Sequence, residues 1–174
     1  MDIFLNWNHL QYLICLLSIF CFSTAIATPA RKFPLDILKN NENKWRTLHI
    51  ELEETSGPVS PEFHYSFKIY IQAIREGFFI YRSESKGDHI SEPQRKRITE
   101  KEYLQIVTKL LKNNIHLMEN EKLPEVRILG VSYNSISYKI GNQKKQFYYL
   151  LQDIDKKENK NKKEIIRILK EIKP

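Results

Sequence analysis

The run "HYSFKIYIQAI", residues 64–74, alternates without a break. Tyr65, Phe67, Ile69 and Ile71 fall on one side, and His64, Ser66, Lys68, Tyr70 and Gln72 on the other. A period of two sends successive side chains to opposite faces, so the run predicts a half-buried strand and excludes an amphipathic helix. The flanks supply partners. In "WRTLHIELEE", Leu48, Ile50 and Leu52 face inward while His49, Glu51 and Glu53 face outward. Gly57-Pro58 and Ser60-Pro61 mark a loop between the two runs, because proline lacks the amide donor that a ladder needs. "REG" (75–77) turns the chain and "FFIYRS" (78–83) returns it, which predicts a three-stranded meander.

"ESKGDHISEPQRKR" (84–97) reads as a long polar loop. The "TEKE" that follows is a capping box: the Thr99 hydroxyl accepts from the Glu102 amide, and the Glu102 carboxylate reaches back to the Thr99 amide. Tyr103, Ile106, Val107, Leu110 and Leu111 then recur at helical spacing, and Asn113-Asn114 close the helix. Strand patterns return in "EVRILGVSY" (125–133), "SISYKI" (135–140) and "KQFYYLLQD" (145–153), with "GNQK" (141–144) as a hairpin loop. The end of the chain places Ile165, Ile166, Leu169 and Ile172 on one helical face. The expected fold is α+β: an antiparallel sheet of about six strands, ordered β-meander, helix, β-meander, C-terminal helix, with the helices on one face.

The first 27 residues are of another kind. "YLICLLSIFCFSTAIA" (12–27) has no charge and ends in Ala25-Ile26-Ala27, a pattern suited to signal peptidase, and its apolar stretch is short for a bilayer span. The reading is a signal peptide, residues 1–27, then a polar linker with a short helical turn (28–44) and one α+β domain (45–174). The segment before Tyr12 carries Asp2 and no lysine or arginine, so a retained anchor stays open as an alternative, as does lipidation at Cys21. Both cysteines, Cys15 and Cys21, lie in this segment. A cleaved chain therefore has no disulfide and no thiolate chemistry, and its core alone must hold it together. The net charge of +7 rests on 28 lysines and arginines, all after residue 27. Such a charge draws polyanions and says nothing of fold.

Catalytic signatures are missing from the sequence. His49, His64, His89 and His116 are widely spaced, and G-x-S-x-G, H-E-x-x-H and phosphate-cradling glycine loops do not occur. Pairing the first two strands across the proline loop sets Glu53 opposite His64, Glu51 opposite Ser66 and His49 opposite Lys68; Glu51, Glu53 and His64 would then be the best metal candidates, against plain cross-strand charge pairing. The acids of "ELEE" (51–54) and Asp153 and Asp155 read as solvated. No metal or other cofactor is expected.

Binding signals are stronger. Arg95, Lys96 and Arg97 form a tribasic group before the capping box, and Lys156, Lys157, Lys160, Lys162 and Lys163 crowd the approach to the last helix. Basic runs of this kind meet sulfated glycans or anionic lipid in an exported protein, and nucleic acid is not expected there. Tyr70, Tyr81, Tyr133, Tyr138, Tyr148 and Tyr149 are abundant, and rings beside Lys68, Lys139 and Lys145 would make an amphipathic contact surface. The sequence points to an exported, non-enzymatic binding protein of the periplasm or cell surface. It would contact a protein or anionic glycan, such as a host matrix or serum component, through an open sheet face that includes His64, Lys68 and Tyr70 and through basic loops. A periplasmic accessory or inhibitor docking a partner enzyme, and a hydrolase with a dispersed site, are the alternatives.

Overall fold

The computed structural model describes residues 35–123 and 131–174; the segment read as a signal peptide, the start of the linker and most of "EVRILGVSY" lie outside them. Among the described residues there is one antiparallel sheet of seven strands. β1 (Leu48–Thr55), β2 (Tyr65–Ile74) and β3 (Gly77–Lys86) form the expected meander. β4 (His89–Ile90) and β5 (Gln94–Ile98) both pair with β3. Helix α1 (Glu100–Lys112) follows, then β6 (Asn134–Ile140), β7 (Gln143–Tyr149) and helix α2 (Lys160–Glu171). The order across the sheet is β4-β3-β2-β1-β6-β7, with β5 beside β4 on the free side of β3. β1 therefore lies between the two halves of the chain, paired antiparallel to β2 and to β6. The chain is α+β, as its periodicities predict.

The register makes the two faces explicit. Leu48, Ile50 and Leu52 of β1 stand beside Ala73, Ile71 and Ile69 of β2 and Ile140, Tyr138 and Ile136 of β6. These residues are buried and form one cluster with Tyr103, Val107, Leu110 and Leu111 of α1 and Ile165, Ile166, Ile168 and Leu169 of α2. Burying a side chain of this size is worth about 1.5–3 kcal/mol against leaving it in water. The ring of Tyr103 stacks on Phe78 at 4.3 Å, and Trp45 meets both rings edge-on at 5.5 and 5.6 Å. Leu38, in the short 3-10 turn Leu35–Leu38, is buried in the same cluster, so the core reaches back before Trp45.

Both helices end as their chemistry demands. At α1 the capping box is complete: the Glu102 amide donates to Thr99 Oγ1 at 3.2 Å, and the Thr99 amide donates to Glu102 Oε2 at 2.8 Å. Asn114 takes the left-handed conformation (φ 60°) just beyond the last turn, one that asparagine tolerates better than most residues. At α2, Arg82 of β3 donates through one guanidinium nitrogen to the Lys170 and Ile172 carbonyls at 3.1 and 3.2 Å. A cation there also opposes the negative end of the helix dipole.

Five expectations need correction. The stretch 84–97 is not a loop: β3 continues to Lys86 and β5 holds the tribasic group. β5 was hidden because four of its five residues are exposed and polar, so it has no apolar rhythm. The hairpin turn after β6 is only Gly141-Asn142, since Ile140 pairs with Gln143. Residues 131–133 carry no strand, and Leu151–Asp153 form a 3-10 turn instead of extending β7. Finally, β1 and β2 pair with Glu53 opposite Lys68, Glu51 opposite Tyr70 and His49 opposite Gln72. The link between them is no longer than the prolines suggested but is centred two residues later, because β1 continues to Thr55, which pairs with Ser66, and the 3-10 turn Pro61–Phe63 lies within the link.

Two substitutions test this picture by denaturant unfolding. Leu110→Ala should cost about 3 kcal/mol through the cavity it leaves, and Thr99→Ala about 1 kcal/mol through loss of the cap. Each should move the midpoint without changing the slope.

Candidate functional site

The face of the sheet opposite the core carries the candidate surface. Three rows cross it. Arg95, Tyr81, Tyr70, Glu51, Ser137 and Gln146 face one another in turn from β5 to β7; Arg97, Phe79, Gln72, His49, Lys139 and Lys144 do the same one step along. Ser83, Lys68, Glu53, Ser135 and Tyr148 make a third row from β3. The rings form a continuous band. Tyr70 stacks parallel to Tyr81 with centroids 4.7 Å apart, and His49 lies 5.0 Å from Tyr70. Beside the band, Arg95 places its guanidinium 4.3 Å from the centre of the Phe79 ring. This contact holds the Arg95 cation over an aromatic face at the edge of the band, where an anion could meet it. Arg97 lies against Gly77, where a Cβ would come within 3.1 Å of its Nε atom.

Charges in the middle of the face are already engaged. Glu51 accepts from His49 at 3.3 Å and pairs with Lys68 at 3.1 Å. The hydrogen bond from His49, helped by Lys68, holds the Glu51 carboxyl below its ordinary value although partial burial opposes it. Burial also works against the Lys68 charge, but the Glu51 bond wins and raises the ammonium above the usual lysine value. The unbalanced positive charge is therefore at the margins, on Arg95 and Arg97 at one side and Lys139 and Lys144 at the other.

The structure separates the sequence-predicted residues. Lys68 and Tyr70 lie in the aromatic band as expected. His64 precedes β2, is exposed and has no partner in β1. The tribasic group is divided: Arg95 and Arg97 face the open side, while Lys96 faces the other side opposite Ile80, near Glu102 and Glu171. The lysines expected ahead of the last helix are distributed through it. Lys157 sits in a 3-10 turn, and Lys160, Lys162 and Lys163 lie within α2. Lys156 pairs with Asp153, Lys162 with Glu121 and Lys163 with Asp155, so the run does not act as one patch. Of the tyrosines, Tyr138 and Tyr149 are in the core and Tyr148 is on the open face; Lys145 points away from that face and donates to the His116 carbonyl at 2.8 Å. The Glu51/Glu53/His64 set is not assembled, because the register places Lys68 and Tyr70 opposite the two glutamates. Among the described residues no group of three His, Cys, Asp or Glu side chains is arranged to hold a metal.

One acid contradicts its expected solvation. Glu54 points to the core side of β1 and is 2% exposed. It accepts a short hydrogen bond from the Tyr149 hydroxyl of β7 and pairs with Lys170 of α2 at 2.6 Å. The sequence signal was phase: Glu54 continues the Leu48, Ile50, Leu52 series, and only its charge hid that. Both carboxylate oxygens are occupied, so Glu54 ties a helix to two strands and is not free to act as a base.

No protein-family model matches this chain, and no curated protein matches it in sequence. The site must therefore be read from its own geometry.

Four half-buried or buried tyrosines predict alkaline behaviour. Burial pushes Tyr65 and Tyr138 up to about 12, raises Tyr103 further, and raises Tyr149 most of all with help from Glu54. A raised phenol pKa means that the folded state holds its proton more tightly than the unfolded chain. The resulting stability is full below pH of about 10, the unfolded tyrosine value, and falls as pH climbs above it. Ultraviolet titration should show these phenols ionising together with unfolding; ionisation of all tyrosines near their ordinary value in a folded chain would contradict it. Among the same residues, Tyr149→Phe should cost about 2 kcal/mol by depriving a buried carboxylate of its donor. Tyr138→Phe should be neutral or stabilising, since the Tyr138 hydroxyl is buried without a partner.

Proposed function

We propose that this chain is an exported, non-enzymatic binding protein that engages an anionic partner through the open sheet face. The observation that carries the reading is the aromatic band with its marginal cations: Phe79, Tyr81, Tyr70 and His49 between Arg95 and Arg97 on one side and Lys139 and Lys144 on the other. Stacked rings supply contact area at low entropic cost. A stacked guanidinium is already held in place, so less freedom is lost when an anion arrives. The uncharged run before Ala27 supports export to the periplasm or cell surface.

A second reading is supported by the loop between β1 and β2. Phe63 and Val59 are 70% and 42% exposed there, although the loop is ordered by turns in which the Val59, Phe63 and His64 amides donate to the Gly57, Ser60 and Pro61 carbonyls. An ordered loop with apolar tips suits an accessory or inhibitor that docks a partner enzyme.

Salt separates the two. The purified protein is compared on immobilised heparin and on a plain sulfonate exchanger. Elution from heparin at clearly higher salt, lost in Arg95→Glu/Arg97→Glu and kept in Lys157→Glu/Lys160→Glu, supports the open face. Elution at the same salt from both columns means that the charge acts only as bulk charge, and the apolar loop becomes the surface to pursue.

A further inference from the structure

The two ends of the sheet are finished differently. At β7 the outer edge is closed by side chains and a neighbouring segment. The Gln146 amide donates to Asn120 Oδ1 and the Tyr148 amide to Glu121 Oε2, both at 2.8 Å. The Gln146 carbonyl accepts from the Glu121 amide at 2.8 Å, and the Tyr148 carbonyl from Lys162 at 2.8 Å. Lys162 and Glu121 are themselves paired at 2.7 Å. The donors and acceptors of Gln146 and Tyr148 on that edge are thus spoken for.

Among the described residues, β5, on the opposite side, has no such cover. Gln94, Arg95, Lys96 and Arg97 are all exposed. Among the described residues, the backbone of Gln94–Ile98 makes no hydrogen bond outside its ladder with β3. An edge strand of this kind is a template for another strand. Its side chains decide which strand is accepted. Three consecutive cations repel a second copy of β5, so pairing of this edge with itself is disfavoured. The same cations complement an acidic chain. Arg95 and Arg97 lie on one face, two residues and so roughly 7 Å apart along the strand, the spacing of alternate residues in any extended segment. None of the three cations has an ion-pair partner among the described residues.

The geometry points to β5 as a strand-accepting edge for an extended acidic protein segment, with alternate carboxylates facing Arg95 and Arg97. The partner adds a strand to the sheet through main-chain hydrogen bonds and is selected by charge. The inference rests on the binding-protein reading for its role, but on the free edge for its place.

The test uses the purified protein and a short synthetic peptide alternating glutamate with valine, with binding followed by calorimetry. In a strand, the amides of all the glutamates point to one side and those of all the valines to the other. Two N-methylated peptides, one blocked on glutamates and one on valines, therefore differ in which edge they lose. Strand addition predicts that one of them loses affinity by about tenfold or more, the equivalent of at least one hydrogen bond, while the other binds like the parent. Glutamine in place of glutamate should weaken binding, and so should Arg95→Glu/Arg97→Glu, whose folding is checked by circular dichroism. Equal binding of both methylated peptides would overturn strand addition and leave only charge attraction. Binding of a heparin fragment without the peptide would overturn the acidic-strand proposal and keep the open-face reading. Failure of both probes would remove both.

Discussion

The pairing of β1 on both of its edges is the constraint on which the rest depends. Leu48, Ile50 and Leu52 are fully buried because β2 and β6 flank them and helices cover the cluster they belong to. Remove either neighbour and the strand exposes a row of amides and carbonyls together with half of the core. The β1–β3 meander and the β6–β7 hairpin are not separate units, since β1 belongs to the first and pairs with the second. This explains why a domain of modest size holds together without any cross-link in the described residues. It also explains why Glu54 is tolerated: at the end of the central strand it lies within reach of both β7 and α2, which supply its two partners.

Much of this was legible in the residues. The period of two in β2 and the capping box at Thr99 each reappear as expected, because each is a local signal with a local cause. β5 left no trace, since an exposed edge strand buries only Ile98 and so follows no pattern of apolar residues. Register was missed for a related reason. Prolines announce a loop but not where it is centred, and the continuation of β1 to Thr55 shifted every pair between β1 and β2. Glu54 shows the opposite failure: its phase was visible and its charge argued against it.

The candidate site was legible in composition and not in arrangement. Tyrosines and cations were plain, yet which of them share a face depends on pairings between strands distant in sequence. The lysine-rich approach to α2 looked like a polyanion-binding patch and is largely engaged in ion pairs. Arg95 and Arg97, in contrast, gain their significance from Phe79 and Gly77, residues that no sequence argument had linked to them.

The position of β1 also governs when this protein can fold. One edge of β1 is satisfied soon after synthesis by β2, but the other waits for β6, which is made only after α1 and the segment beyond it. Until then the chain carries an open apolar ribbon and cannot complete its core, and contacts of such long sequence separation form slowly. Were the chain exported as proposed, staying unfinished until its last third has been made would keep it thin enough to thread a narrow channel before it takes its final form.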